Sequence, residues 1–135
     1  MALQYSAAVR NAKLDAVETT IGTSAVLKIR TGAAPADVAT ADSGTVLATL
    51  SLPSDWMAAA SSGSKAKSGT WSDASADASG TAAHWRLYAS DGTTCHAQGT
   101  VTATGGGGDM TVDNTSFAAA QAFTVTSFTL TAGNA

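Results

Sequence analysis

Charge is scarce in this chain: Asp, Glu, Lys and Arg make up 13% of its 135 residues and leave a formal net charge of −3. That share is about half of what a globular domain carries. The basic residues are scattered as Arg10, Lys13, Lys28, Arg30, Lys65, Lys67 and Arg86 in a chain of pI about 5.0. They make no electrostatic footprint for nucleic acid. Cys95 is the single cysteine, which excludes an intrachain disulfide and a cysteine-based zinc site. No apolar run approaches transmembrane length, and the opening MALQYSAAVR offers no stretch suited to a signal peptide. Synthesis and folding in a cytoplasm, without a membrane partner, are therefore expected. Leu, Ile, Val and Phe are also few, a proportion that signals disorder only when net charge is high. Here they fall into alternating runs, which points to one folded domain with a thin core. Such a domain gains by burying surface against copies of itself or a partner.

Ala, Thr, Ser and Gly supply more than half of the chain, and the apolar residues set among them carry the fold signal. Residues 3 to 21 predict the one helix, with Leu3, Ala7, Leu14, Val17 and Ile21 on a stripe that Arg10 interrupts. Gly22 supplies a stop. The helix either packs on its own domain or acts as an arm reaching a neighbouring subunit. Ala25 to Thr31 and Thr45 to Leu52 alternate as strands, the second with Val46, Ala48, Leu50 and Leu52 on one face, ended by Pro53. Ser54 predicts a capped helical turn over Asp55 to Ala60, and SSGSKAKSG has the make-up of a flexible surface loop. Trp56 and Met57 beside it are either a lid on the core or an interface anchor.

Thr81 to Thr104 reads as a β-hairpin. A loop of Ser90, Asp91 and Gly92 puts glycine at a left-handed position. It sets Arg86 opposite His96, Leu87 opposite Cys95, Trp85 opposite Ala97 and His84 opposite Gln98. One face then collects Ala83, Trp85, Leu87, Cys95, Ala97 and Val101, with Cys95 turned inward. The other displays His84, Arg86, Tyr88, Thr94, His96 and Gln98. Gly105 to Gly108 lead not into a helix with a Lys but into the strand-like DMTVDNT, so they read as a floppy connection, not a phosphate loop. In the last strand, Ala122 to Thr131, Phe123 and Val125 share one phase while Phe128 and Leu130 share the other. That slip predicts a β-bulge near Thr126 and Ser127. The sum is an all-β fold, an antiparallel β-sandwich of about seven short strands. The N-terminal helix (residues 1–22) precedes the sandwich domain (residues 23–135), in a single domain overall.

No catalytic constellation emerges. His84 and His96 lie diagonally on one hairpin face, but Arg86 sits between them and no carboxylate joins them, so a metal site is disfavoured. No nucleophile-elbow motif or calcium-loop spacing is present. Neither an enzyme nor a cofactor is expected.

Several stretches together resemble a widespread group of small tailed-bacteriophage virion proteins. LQYSAAVRNAKLDAVETTIGTSAVLKIRTGAAPA is similar to the group's opening helix and "LRIYSG-x-P" strand, through Leu27, Ile29, Arg30, Gly32 and Pro35, with the group's tyrosine missing near Thr31. SGTVLATLSLPSDW resembles its second strand. A "FR-x-Y" pattern stands here as Trp85, Arg86 and Tyr88, and the returning "QG-x-V" as Gln98, Gly99 and Val101. GGDMTVDNTSFAAAQAFTVTSFTLTAGN resembles its closing "D-L-x-L-x … V-x-SFT-x-T". The likeness covers nearly the whole chain. It implies a non-enzymatic part of a virus particle, made in a bacterial host's cytoplasm. The favoured expectation is a head decoration, or cement, protein: a homotrimer bridging capsomers of the major capsid protein or touching other virion proteins. Leu3, Leu14, Val17, Trp56 and Met57 are its candidate interface. The alternative is a tail-fibre or baseplate module whose polar face of His84, Arg86, Tyr88, His96 and Gln98 binds a host-surface glycan.

Overall fold

The computed structural model describes residues 2–134. Helix α1 (Ala7–Ile21) begins where extended Ser6 caps it, its Oγ accepting the Val9 N–H at 3.3 Å. It ends at Gly22, whose φ of +91° is a conformation glycine adopts freely. Residues 3–5, expected in the helix, precede the cap and are not helical. Of the expected stripe only Leu14 and Ile21 are buried, whereas Leu3 is 69% and Val17 36% exposed. Polar residues complete the docked face. Asn11 Oδ1 accepts the Gly63 N–H at 2.8 Å, Asp15 Oδ1 accepts the Ala60 N–H at 3.2 Å, and Glu18 Oε1 accepts the Met57 N–H at 3.2 Å. Positions 11, 14, 15, 18 and 21 share one helical side, so α1 packs on its own chain through a mixed seam.

Strands β1 (Val26–Arg30) and β2 (Val46–Ser51) pair antiparallel, with Leu27 opposite Leu50 and Ile29 opposite Ala48. A register shift after Ile29 makes Leu47 the extra residue, so it too becomes buried while Val46 is only half-buried. Next come β3 (Ser64–Ala66), β4 (Ser72–Asp73), β5 (Gly80–Thr81), β6 (His84–Tyr88) and β7 (Cys95–Ala103). The last are β8 (Met110–Val112), β9 (Ser116–Phe117) and β10 (Phe123–Thr131). One sheet runs in the order β2-β1-β6-β7-β8-β10-β3, with β4 also on β10, and β5 pairs β9 separately. Among the described residues the fold is therefore mostly β with one helix, but its main sheet is curled and mixed, a half-barrel, and not an antiparallel sandwich.

The departure comes from β7 and β8, which pair parallel with only residues 104–109 between them, where such crossovers ordinarily take a dozen or more residues. The glycine run makes this possible. Gly105 and Gly107 hold φ of +86° and +79°, while a Cβ on Gly106 or Gly108 would lie 2.7 or 2.9 Å from the Thr102 side chain. The segment expected to be floppy is folded back against β7, with the Gly108 N–H donating to Thr102 Oγ1 at 3.0 Å.

The curl encloses Leu27, Ile29, Leu50, Leu87, Val112 and Val125 around a row of rings. Trp56, Trp71, Phe128 and Trp85 follow one another at centroid spacings of 6.1, 5.4 and 5.2 Å. Trp56 and Met57 are thus core residues, 0% and 1% exposed, and not an interface anchor. No helical turn forms over Asp55 to Ala60, and the Trp56 Nε1–H instead donates to the Gly22 carbonyl at 2.9 Å. The expected flexible loop contains β3. Its Lys65 is 2% exposed and binds Asp15 and Glu18 of α1 at 2.8 Å each. Burial opposes that ammonium charge, but the two carboxylates outweigh it and raise its pKa. The bulge expected in the last strand is present, with Thr126 unpaired between Val125 opposite Val112 and Ser127 opposite Thr111.

Candidate functional site

The hairpin β6–β7 is the centre of the sheet, but its register differs from the expected one. Asp91 accepts the N–H groups of Thr93 and Thr94 at 2.8 and 2.9 Å. The loop thereby spans Ser90 to Thr93, closed by the Ala89 N–H on Thr94 O at 3.0 Å. Carried on unchanged, that loop would set Leu87 opposite His96. A bulge at His96 corrects the phase, so Leu87 faces Ala97, Arg86 faces Gln98, Trp85 faces Gly99 and His84 faces Thr100. Gly92 keeps the left-handed conformation expected of it, with φ of +70°.

The bulge also turns Cys95 onto the Arg86 side, opposite Tyr88, where its Sγ accepts the Arg86 Nε–H at 3.1 Å. Cys95 is therefore half-buried in a polar setting and not an inward hydrophobe.

The larger correction concerns exposure. Every residue of β6 is buried, and His84, Arg86 and Tyr88 are each 1% exposed. Residues 32–45, which connect β1 to β2, cross their face as a strap. Arg86 Nη1 donates to Thr40 O at 2.9 Å and to Asp42 Oδ1 at 2.8 Å, and Nη2 donates to Val38 O at 2.7 Å. Asp42 also accepts from Arg30 Nη2 and from the Tyr88 hydroxyl, both at 2.7 Å. His84 Nδ1–H donates to Gly32 O at 2.7 Å, and Gln98 Nε2 donates to Pro35 O at 2.7 Å. The ammonium of Lys28 lies 4.9 Å from the Tyr88 ring centroid and donates to Gly92 O at 3.0 Å.

Four of the five residues expected on a display face are thus brought together, beneath the strap. His96 is not among them. It is exposed at the bulge and lines a shallow pocket of about 310 Å³ with Lys13, Ala16, Val17, Thr20 and Ile21 of α1. Of the candidate interface residues, Leu14, Trp56 and Met57 lie inside, and Leu3 and Val17 remain at the surface.

The electrostatics suit a clamp. Burial raises the Asp42 pKa, but the Tyr88 hydroxyl and the charges of Arg30, Arg86 and Lys28 outweigh it, so the net shift is downward. Burial also works against the Arg86 charge, yet the Cys95 sulfur and Asp42 hold its pKa above the ordinary value. For Tyr88, burial and the bond to Asp42 together push the phenol up to about 12.

A pocket of about 390 Å³ opens along the strap between Val38, Thr40, Asp42, Arg86, Thr93 and Cys95. No nucleophile–base pair forms in it, since the Cys95 thiol contacts Arg86 and donates to Ala97 O at 3.4 Å. Among the described residues no three His, Cys, Asp or Glu side chains gather as a metal site, and no helix is long and apolar enough to cross a membrane.

Two partners in these clusters, Asp42 and the Asp15–Glu18 pair, escape a reading of the sequence by pattern. Their signal is the cation itself. Arg30 and Arg86, on the adjacent strands β1 and β6, need an anion once buried, and the connection from β1 to β2 carries Asp42. Compared with known proteins, the chain matches no family model, no curated protein and no solved structure.

Proposed function

We propose that this chain is a non-enzymatic structural protein of a bacteriophage virion. Its place is the head, as a decoration (cement) protein that binds the major capsid protein and bridges capsomers as a homotrimer. It is made in the host cytoplasm and ends in the particle. The observation that carries this reading is where the apolar surface lies: of the large hydrophobic residues left exposed among the described residues, Leu3, Tyr5, Val9 and Val17 belong to the N-terminal element and only Val38 lies elsewhere. Apolar side chains concentrated on one element suit contact with another protein surface. The polar cluster is compatible with the same reading, because Arg86, His84, Gln98 and Asp42 hold the strap in place. Many small contacts of this kind, repeated by symmetry over a shell, add up by avidity. Burial of His84, Arg86 and Tyr88 favours decoration over the glycan-binding alternative, of whose expected face His96 remains exposed.

The test is the solution mass of the purified protein, with co-sedimentation against capsids of the encoding phage and against host cells. A trimer that coats capsids and ignores cells supports decoration. A species that binds cells and leaves capsids bare overturns it.

A further inference from the structure

Strand β8 is 3 residues long, while β7 and β10 on either side of it have 9 each. β8 meets β7 only from Val101 onward and β10 only up to Phe128. The edge of β7 over residues 95–100 and the facing edge of β10 over residues 129–131 therefore have no strand between them. A cleft of about 460 Å³ lies there, with Trp85 and Phe128 at its base, Ala97 and Gln98 on one wall and Thr129 and Thr131 on the other. Asp109 closes one end, its Oδ2 accepting the Thr100 N–H at 2.9 Å.

Strand alternation decides which groups face the cleft. The Val101 N–H bonds Ala83 on the β6 side, so the main-chain groups of Gln98 turn away from β6, before the bulge at His96 breaks the alternation. Phe128 O and the Ala132 N–H bond Lys67 and Gly63 on the β3 side, so those of Thr129 and Thr131 turn toward the cleft. Two buried side-chain atoms on the lining residues, Trp85 Nε1 and Gln98 Oε1, also lack a hydrogen-bond partner. The open main-chain groups of the two strand edges match the amide groups of one extended peptide.

We propose that this cleft receives residues 2–5 of a second copy of the chain as an added strand, parallel to β7 and antiparallel to β10. That segment precedes the cap of α1 and is exposed at every residue, with Leu3 69% and Tyr5 40% exposed and the Lys13 ammonium of α1 4.5 Å from the Tyr5 ring centroid. Leu3 and Tyr5, two apart, fall on one side of a strand. In its own chain the Tyr5 main chain is tied to a side-chain amide: the Tyr5 N–H donates to Asn134 Oδ1 at 2.9 Å, and Asn134 Nδ2 donates to Tyr5 O at 3.0 Å. Insertion in a neighbour's cleft exchanges this tie for main-chain bonds. Four residues span about 13 Å, enough to pair with Gln98 on one side and Thr129 and Thr131 on the other. The inference does not depend on a role in a virion. A protein that associates through this cleft and leaves capsids bare keeps it while overturning decoration.

Sedimentation equilibrium of three chains tests it: the full chain, a chain lacking residues 2–5, and Thr131→Pro, which removes a main-chain donor facing the cleft. The full chain is expected to associate, and both variants to stay monomeric at the same concentration. Adding acetyl-ALQYS-amide to the shortened chain should move the Trp85 indole N–H resonance and slow exchange of the Gln98 and Thr131 amides. A full chain that is monomeric up to millimolar concentration overturns the proposal. So does association that survives in Thr131→Pro with the Trp85 resonance unmoved.

Discussion

Asp42→Asn keeps the shape of the side chain at the centre of the strap and removes its charge. In the native protein that carboxylate faces two guanidinium groups whose side chains are 8% and 1% exposed, Arg30 and Arg86. Removing one partner of a buried ion pair costs about 3–5 kcal/mol. The Asp42 side chain is itself 37% exposed, so water reaches its place and the loss is smaller, about 2–3 kcal/mol after discounting for screening. Unfolding entropy near 60 °C is about 2.1 cal/mol/K per residue, or about 0.28 kcal/mol/K for 135 residues. The melting temperature should therefore fall by about 7–11 °C. Thermal and urea unfolding at neutral pH measure this. The pH dependence supplies a second readout. The Asp42 pKa is lowered in the folded state, so its contribution is present above the ordinary carboxylate value and is lost as pH falls through the folded one. The gap between the native chain and Asp42→Asn should narrow in acid. Labelling of Cys95 by a thiol reagent should also accelerate in the variant, because the strap that crosses its neighbour Arg86 opens more often. A variant within about 0.5 kcal/mol of the native chain, with unchanged labelling, refutes the reasoning.

Lys65→Met should leave stability nearly unchanged, since Glu18 and Asp15, 20% and 50% exposed, can turn to water. The double change Asp15→Asn and Glu18→Gln strands the buried ammonium and should destabilise far more in urea unfolding. Equal losses from the two would contradict the asymmetry. Gly108→Ala places a Cβ 2.9 Å from Thr102 Cγ2 and should cost about 1–3 kcal/mol, most of it recovered by adding Thr102→Ala. Gly133→Ala, with nothing within 4 Å, serves as the control. In an alkaline absorbance titration Tyr88 should ionise near its raised value of about 12. The raised pKa contributes stability below pH 10 that is lost as pH climbs through the folded value, and Tyr88→Phe should flatten that alkaline decline.

How much was legible depended on whether a residue's role is local. Gly22, Gly92 and the Thr126 bulge were readable because left-handed turns and phase slips leave marks within a few residues. The strands carrying Leu27, Leu50 and Phe123 were readable by alternation. The faces of the hairpin were misjudged for a different reason. Alternation separates two sides of a strand but cannot tell water from a strap contributed by another segment, so Arg86 read as displayed when it is buried. Lys65 was hidden by its own neighbours, since SSGSKAKSG has loop composition and the carboxylates that bury it lie on α1. The parallel pairing of β7 and β8 was invisible because four glycines announce flexibility, and only the position of Thr102 reveals them as a close-packed return.

The tie between Tyr5 and Asn134 joins positions 129 residues apart, and it bears on the order in which the molecule is built. A ribosome adding about 5–20 residues per second separates the emergence of those two residues by on the order of ten seconds. Helix α1 leaves the exit tunnel early, yet its docking groups on Gly63, Lys65 and Ala132 arrive later, the last only with the end of β10. Fifteen residues alone are marginal as a helix in water. Throughout that interval Leu14 and Ile21 have no core to enter, and the nascent chain must carry them uncovered. Helix α1 is made before the groups that hold it and is completed only with the last of them.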